Sequence, residues 1–298
     1  MDFTELNIVR KKCAQKTIIG SILAAIGGLM FLIPYAGGES AFALQQFLGV
    51  FVLAIGIIFI GFGAAKFQQL KNNFKQVHLK KMIQELYREV RYEPKAGIGL
   101  DRIYACKFIK RADRSHTEDL IIGEYDDVHF ETCDVRLEER HVRHTKNGTQ
   151  VYYVTYFLGR FFEFDFPKEF KGQIIVTEGG MFTLFSNLKK IEMESVDFNK
   201  KFKTYSTDEH NAFYILTPHL MEEIMDLEKR NPGQIGLSFI GNRLSIAINN
   251  HKNTFELNMF KEIDGSTLEE LKRDLGIIQS IVTELKLNRN IFKYEEVK

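Results

Sequence analysis

The sequence predicts an α+β protein: a two-helix transmembrane hairpin, then a cytoplasmic, mainly antiparallel sheet domain with a long C-terminal helix. Three observations carry this. Two runs hold no charged side chain, Thr17–Gly38 with 22 residues and Ser40–Ala65 with 26. Beyond residue 96 the apolar residues alternate with a period of two between turn-forming pairs, as in half-buried strands. From Leu268 to Leu285 they return to 3-4-3-4-3 spacing, one face of a helix.

Both uncharged runs exceed the roughly 20 residues that carry a helix across a bilayer. Backbone groups find no water in hydrocarbon, so a helix is required there. The spans are placed at 17–38 and 44–65, giving a hairpin over 17–65 after a basic segment, 1–16. A pair of buried helices in a soluble protein is the alternative, but uncharged runs this long are rare in soluble cores. A cleaved signal peptide is imitated by the basic start and by Ala41-Phe42-Ala43. The first run is longer than a signal's apolar stretch, and cleavage would leave a second span starting at once.

Basic residues set the orientation. Arg10, Lys11, Lys12 and Lys16 precede the first span; Lys66, Lys71, Lys75, Lys80 and Lys81 follow the second. The connecting loop, 36–46, carries only Glu39. Both termini are therefore expected on the cytoplasmic side of the inner (plasma) membrane. The lipid bilayer is the first expected partner, with Lys11, Lys12, Lys16, Lys66, Lys71 and Lys75 at its anionic headgroups. Gly20, Ala24 and Gly28 recur every four residues, and Gly49, Gly56 and Gly63 every seven. Small residues let helix backbones approach closely in lipid. These stripes pack within the hairpin, pack against another chain, or reflect only the abundance of glycine in membrane helices. Neither span contains a charged residue, which argues against a channel, proton relay or transporter.

Composition excludes other classes. With 45% hydrophobic residues and a net charge of +1, the chain is not disordered. Three cysteines, Cys13, Cys106 and Cys133, are too few and too dispersed for a disulfide framework and suit a reducing compartment. Residues 1–95 carry 12 Lys and Arg against 6 Asp and Glu, whereas residues 96–298 carry 28 against 33. The mildly acidic part would be repelled by nucleic acid, which is not an expected partner.

A juxtamembrane helix is expected over 66–95, ended by Pro94, Gly97 and Gly99, with the sheet domain over 96–298. Its stripe Phe67, Leu70, Phe74, Val77 is offset from a second one, Leu79, Ile83, Leu86, Val90, which implies a bend near 77–80. Strands follow at Leu120–Gly123, then one or two over Val128–His144, and Gln150–Phe166, with a turn at Asp126-Asp127 and a hairpin at Asn147-Gly148. Phe162, Phe164 and Phe166 share one face, with Glu163 and Asp165 opposite. Gln173–Thr177 and Met181–Phe185 are a further expected pair. Ser206 with Glu209 reads as a capping box, and Thr217-Pro218 opens a helix to about Arg230. Ile235–Ile240 and Arg243–Asn249 pair across Gly241-Asn242, with a third strand expected at Thr254–Leu257. Ser266 and Glu269 read as the box that opens the last helix, whose stripe packs on the sheet or self-associates.

No catalytic motif stands out, and no cofactor or metal is expected. Ser186 and Lys189 match a serine–lysine pattern that nothing else supports. His141 and His144, with Glu138 or Glu139, resemble a metal site, but on a strand the two histidines face opposite sides. Glu124, Asp126 and Asp127 form a turn acid cluster, and Asp208, Glu209 and His210 sit where a helix begins. Cys106 beside Lys107 reads as a buried thiol, and Lys200, Lys201 and Lys203 as a solvated loop rather than a binding rim.

Several of these phrases together resemble a known family. One stretch runs Phe157-Leu158-Gly159-Arg160-Phe161-Phe162 to Phe166, then Phe170-Lys171-Gly172 and Ile174-Ile175-Val176. The other runs from Asp197-Phe198 through Phe202, Tyr205, Asp208-Glu209 and Ala212 to Ile215-Leu216-Thr217-Pro218, then Ser238-Phe239 and Ile246-Ala247-Ile248. Over about 118–258 the chain resembles the uncharacterised bacterial membrane-protein family known as domain of unknown function 3137. The resemblance implies a membrane-anchored bacterial protein and supplies no catalytic residue. The expected function is a membrane-anchored, non-catalytic interaction or scaffold module with a protein partner or self-association. The alternatives are a lipid-headgroup or small-ligand module with a pleckstrin-homology-like barrel, and a tethered enzyme with an unrecognised site.

Overall fold

The computed structural model describes residues 3–33, 39–146, 148–167, 169–179 and 188–287. The chain divides into two compact units, Met1–Leu79 with Phe255–Lys272, and Lys80–Thr254 with Arg273–Lys298.

The first unit is built on α1 (Thr4–Leu32) and α2 (Glu39–Phe74), packed along each other. At about 1.5 Å per residue, their 29 and 36 residues make rods of about 43 and 54 Å, longer than the roughly 30 Å hydrocarbon layer. Only 11% and 17% of their most apolar windows are buried, unlike core helices of a soluble protein. Ile18, Ile22, Leu29, Phe51 and Phe62 are exposed along the rods. Each helix exceeds its expected span, since α1 takes in most of the basic segment and α2 begins at Glu39 rather than 44.

The helices meet through glycine. A Cβ on Gly20 would lie 2.7 Å from the Gly56 carbonyl oxygen, one on Gly49 2.9 Å from that of Gly27, and one on Gly63 2.4 Å from the Thr17 hydroxyl. Ala24 lies against Gly56. Gly28 does not belong to this contact: its nearest neighbour is a Leu53 methyl at 3.9 Å, and Gly27 takes its place, with a Cβ 2.4 Å from the Leu53 nitrogen. A strict four-residue repeat drifts around a helix by about 80° over two steps, whereas seven residues return almost to the same face.

A π turn, Lys75–Leu79, follows α2. Phe67, Leu70 and Phe74 are buried, and the next buried apolar position is Leu79, five residues on. A π turn adds one residue and re-phases the stripe, which is the offset visible in the sequence. The juxtamembrane helix does not run to residue 95. In the second unit α3 (Lys80–Leu86) ends it, and Arg88–Glu93 forms strand β1, pairing Tyr92 with Ile121 and Glu93 with Leu120. Pairing to a waiting strand edge overrides local helix preference.

The rest of the second unit is α4 (Leu100–Ala105), β2 (Arg114–Tyr125), β3 (Val128–Thr145), β4 (Gly148–Asp165), β5 (Gln173–Glu178), β6 (Lys189–Ile191), α5 (Val196–Lys201), β7 (Phe202–Ser206), α6 (Glu209–Ile215), α7 (Pro218–Arg230), β8 (Gln234–Ile240) and β9 (Arg243–Asn249). Helix α8 (Gly265–Glu284) begins in the first unit and ends in the second. Among the described residues nine strands form one antiparallel sheet in the order β1-β2-β3-β4-β9-β8-β5-β7-β6. Among the described residues no pairing joins β1 to β6, so the strands do not close into the ring that a pleckstrin-homology-like barrel needs.

Several local expectations are refined. Val128–His144 lies within one 18-residue strand, and β5 pairs with β7 and β8. Asn147, Met181–Phe185 and Ser186 lie outside the described residues, although Thr145 pairs with Gly148 across the hairpin. Asp126 and Asp127 both have positive φ (51° and 61°), as a type I′ turn requires. Asp208, not Ser206, caps α6 by accepting from the Asn211 amide. Asp264, not Ser266, accepts from the Thr267 amide at the start of α8. Thr217 caps α7 as the sequence implies. Thr254–Leu257 is not a strand.

The sheet is covered on both faces. Cys133, Val135, Phe157 and Phe161 cluster with Ile103 and Phe108 of the α4 region. On the opposite face Phe130 meets the Tyr87 ring edge-on at 5.1 Å, and the Tyr87 hydroxyl donates to the Leu275 carbonyl at 2.5 Å. The α8 stripe Leu275, Ile278, Val282 and Leu285 is thereby buried within the unit, leaving no seam for a coiled coil.

Candidate functional site

Three side-chain clusters concentrate the charge chemistry. The first lies in the unit of the long helices. The segment 255–264 carries no regular element and is tied to both helices as a strap. Glu256 takes the ammonium groups of Lys71 at 2.7 Å and Lys75 at 2.8 Å. The Asn7 amide donates to the Ile263 carbonyl at 2.7 Å and accepts from its nitrogen at 3.0 Å, and Arg10 donates to the Met259 carbonyl at 3.0 Å. Burial alone would raise the Glu256 pKa, but the two ammonium groups outweigh it and hold it below the ordinary 4.5. Lys75 is buried, so it is not free for lipid headgroups, and Lys71 shares its acid; Lys11, Lys12, Lys16 and Lys66 remain exposed.

The second cluster is a buried polar group on the Phe162 face of the sheet. Arg160, paired opposite Asp134 across β3 and β4, donates to the Thr132 hydroxyl at 2.9 Å and stands 3.7 Å from the Asp134 carboxylate. Asp134 also accepts from the Thr254 amide at 2.5 Å, and Asp119 accepts from the Tyr92 hydroxyl at 2.5 Å. Burial pushes Asp134 up to about 7; Arg160 pulls it down and Asp119 pushes it further up. The third cluster lies on the opposite face. Arg102 of α4 holds Glu131 at 2.9 Å and Glu163, and Arg243 reaches Glu163 at 3.5 Å and Asp165 at 3.0 Å. Glu163 is only 2% exposed, and burial raises its pKa despite both arginines. Alternation placed it opposite the phenylalanines, but α4 covers that face too.

Among the described residues, two clefts on the second unit bear on the predicted sites. One, about 550 Å³, is lined by Glu169, Phe170, Lys171, Asp208, His210 and Tyr214. Asp208 is engaged in capping α6, and among the described residues no hydrogen bond joins it or Glu209 to His210, so no acid–base pair forms there. The other, about 520 Å³, holds Glu124, Asp126 and Asp127 with Arg88, and the carboxylates do not gather at metal-ligand distance. His141 stacks on Tyr152 (5.4 Å) and His144 contacts Thr149 at 3.0 Å on the other face, so they cannot share an ion. These histidines lie on an arm, 139–146 and 148–154, whose two strands pair, among the described residues, only with each other. Cys106 and Cys133 are buried, which pushes both thiols up to about 12 and leaves them unreactive. Lys200 pairs with Asp197, and Lys201 bridges Glu178 and Glu228; Lys200 and Lys201 end helix α5 and Lys203 lies in strand β7, not in the expected loop. The buried acids Asp119, Asp134 and Glu163 were not legible as a set, because the strands that bury them are far apart in sequence.

Residues 155–287 match the model of a family described as a protein of unknown function (DUF3137). That match bears out the family resemblance, beginning later than the 118 read from the sequence and extending through α8. No curated protein matches the chain. Among solved structures, the crystal structure of the mycobacterial trehalose monomycolate transport factor A aligns over 72% of this chain and 93% of its own, at 8% identity and a TM-score of 0.39. Likeness at that level carries no argument about fold or activity.

Proposed function

We propose, for a chain whose residues 155–287 match a family of unknown function, that it is a membrane-anchored, non-catalytic interaction module. The observation that carries the reading is the first unit's helical pair. Its backbones are joined through Gly20, Gly27, Gly49, Gly56 and Gly63 while isoleucine, leucine and phenylalanine face outward. In water that surface would be a large apolar liability; in lipid it is the expected exterior. Lys11, Lys12, Lys16 and Lys66 lie at the Lys- and Arg-rich end, which by the positive-inside rule faces the cytoplasm of the inner membrane.

The non-catalytic part is supported by the second unit. Its buried acids are engaged by Tyr92, Arg160, Arg102 and Arg243, and among the described residues neither cleft holds an activated nucleophile or an acid–base pair. A protein partner or self-association is the role proposed for the sheet unit. The test is crosslinking in cells, followed by mild-detergent purification and mass spectrometry. A reproducible, near-stoichiometric protein partner or homo-oligomer is expected; a monomer carrying only a small molecule overturns the interaction reading. A reporter fused after Lys298 should behave as cytoplasmic.

A further inference from the structure

The strap 255–264 turns most of its apolar side chains inward. Phe255, Leu257 and Ile263 are 2%, 7% and 2% exposed, but Phe260 is 64% exposed between the half-buried Met259 and the exposed Lys261. Its position along the helices is fixed by its neighbour. The Met259 carbonyl accepts from Arg10, and the Thr17 hydroxyl contacts the Met259 sulfur at 3.5 Å. Thr17 is the first residue of the uncharged run, and Arg10 lies about 10 Å before it along α1. The headgroup layer of a bilayer is about 5–7 Å deep on each side. The strap tip therefore falls in the layer where an apolar ring and lysines are both favoured.

Resting on the reading that α1 and α2 span a bilayer, we propose that Met259-Phe260-Lys261 is an additional, non-spanning membrane contact. The Phe260 ring enters the headgroup–acyl boundary of the leaflet on the Arg10 side, and the Lys261 ammonium stays among the headgroups. The occupant is lipid because the tip lies at the level of the span border, fixed by Arg10 and Thr17, and Lys12 and Lys16 of that same stretch of α1 are exposed. The internal packing that accounts for Phe255, Leu257 and Ile263 leaves Phe260 outside it. Through Lys71, Lys75, Asn7 and Arg10 the contact is clamped to both helices, so it is held ready rather than ordered on binding.

The chain contains no tryptophan, so Phe260→Trp places a single reporter at the tip. The full chain is reconstituted in nanodiscs of phosphatidylcholine and phosphatidylglycerol, with or without lipids brominated near the headgroup or deep in the acyl chain. Ile26→Trp, about 14 Å into the first run, reports on spanning itself. The expected result is blue-shifted emission from Phe260→Trp quenched by the shallow bromine, and quenching of Ile26→Trp by the deep bromine. If Ile26→Trp is quenched while Phe260→Trp emits as in water and responds only to aqueous acrylamide, the strap contact is overturned and the anchor stands. If neither is quenched by lipid, the anchor reading and the contact fail together. Lys261→Trp repeats the measurement should the first variant not reconstitute, and unquenched emission there overturns the proposal equally.

Discussion

Gly56 stands against Ala24 with no room for a methyl group: a Cβ on Gly56 would lie 2.5 Å from the Ala24 nitrogen. Backbone against backbone is the closest approach two helices can make. In lipid, where no hydrophobic force draws helices together, such packing is what joins them. The pair also shows that the close approach lies within one chain.

Neighbouring glycines should therefore respond differently. Gly27→Ala forces its methyl within 2.4 Å of the Leu53 nitrogen, whereas Gly28→Ala meets nothing closer than 3.9 Å. The first should cost about 1–3 kcal/mol as an overpacked contact and the second almost nothing. Thermal unfolding in detergent, with a disulfide-trapped cysteine pair across the hairpin as readout, checks the contrast.

The Glu256 latch should weaken in acid. Its folded pKa is depressed below the ordinary 4.5. The stability it contributes is thus present above about 4.5 and lost as pH falls through the folded value. Glu256→Gln should remove that acid limb and the Glu256 ion pairs with Lys71 and Lys75. Amide hydrogen exchange over 255–264 as a function of pH should show faster opening of the strap in the variant at neutral pH and no further change in acid.

Asp134 should give the opposite slope in the sheet unit. Burial raises it from 3.8 to about 7, so between those values the folded state binds more protons than the unfolded one. Stability should fall as pH rises from about 4 to about 7 and level off beyond. Asp134→Asn should flatten this trend by at least about 1 kcal/mol across the window. Chemical denaturation of variant and parent at matched pH values reads the difference directly.

The arm should be energetically separable. Tyr153 receives the Arg114 guanidinium over its ring at 3.4 Å, while Val142 and Val151 pair in solvent. Tyr153→Ala should cost about 0.5–1 kcal/mol, and Val142→Thr less. The same denaturation assay measures both, and a loss well above that range from Val142→Thr would mean that something covers the arm.

Local features of the fold were legible in the sequence because they depend on residues within a turn of one another. Thr217-Pro218 caps α7, Gly241-Asn242 turns β8 into β9, and residues 17–32 and 40–65 of the uncharged runs lie in the long helices. The offset between the Phe74 and Leu79 stripes coincides with the π turn. Little of the candidate site was legible in this way. Which strand neighbours which decided that β1 is a strand, that Glu163 is buried beneath Arg102, and that Arg160 shares a low-dielectric face with Asp134. The strap was equally hidden, since Glu256 meets Lys71 and Lys75, and Ile263 meets Asn7, across most of the chain. Periodicity reports how much of a segment is apolar and with what repeat. Only the tertiary structure chooses the surface it packs against, and that choice decides which charges are buried, which are paired, and why Phe260 is left facing out.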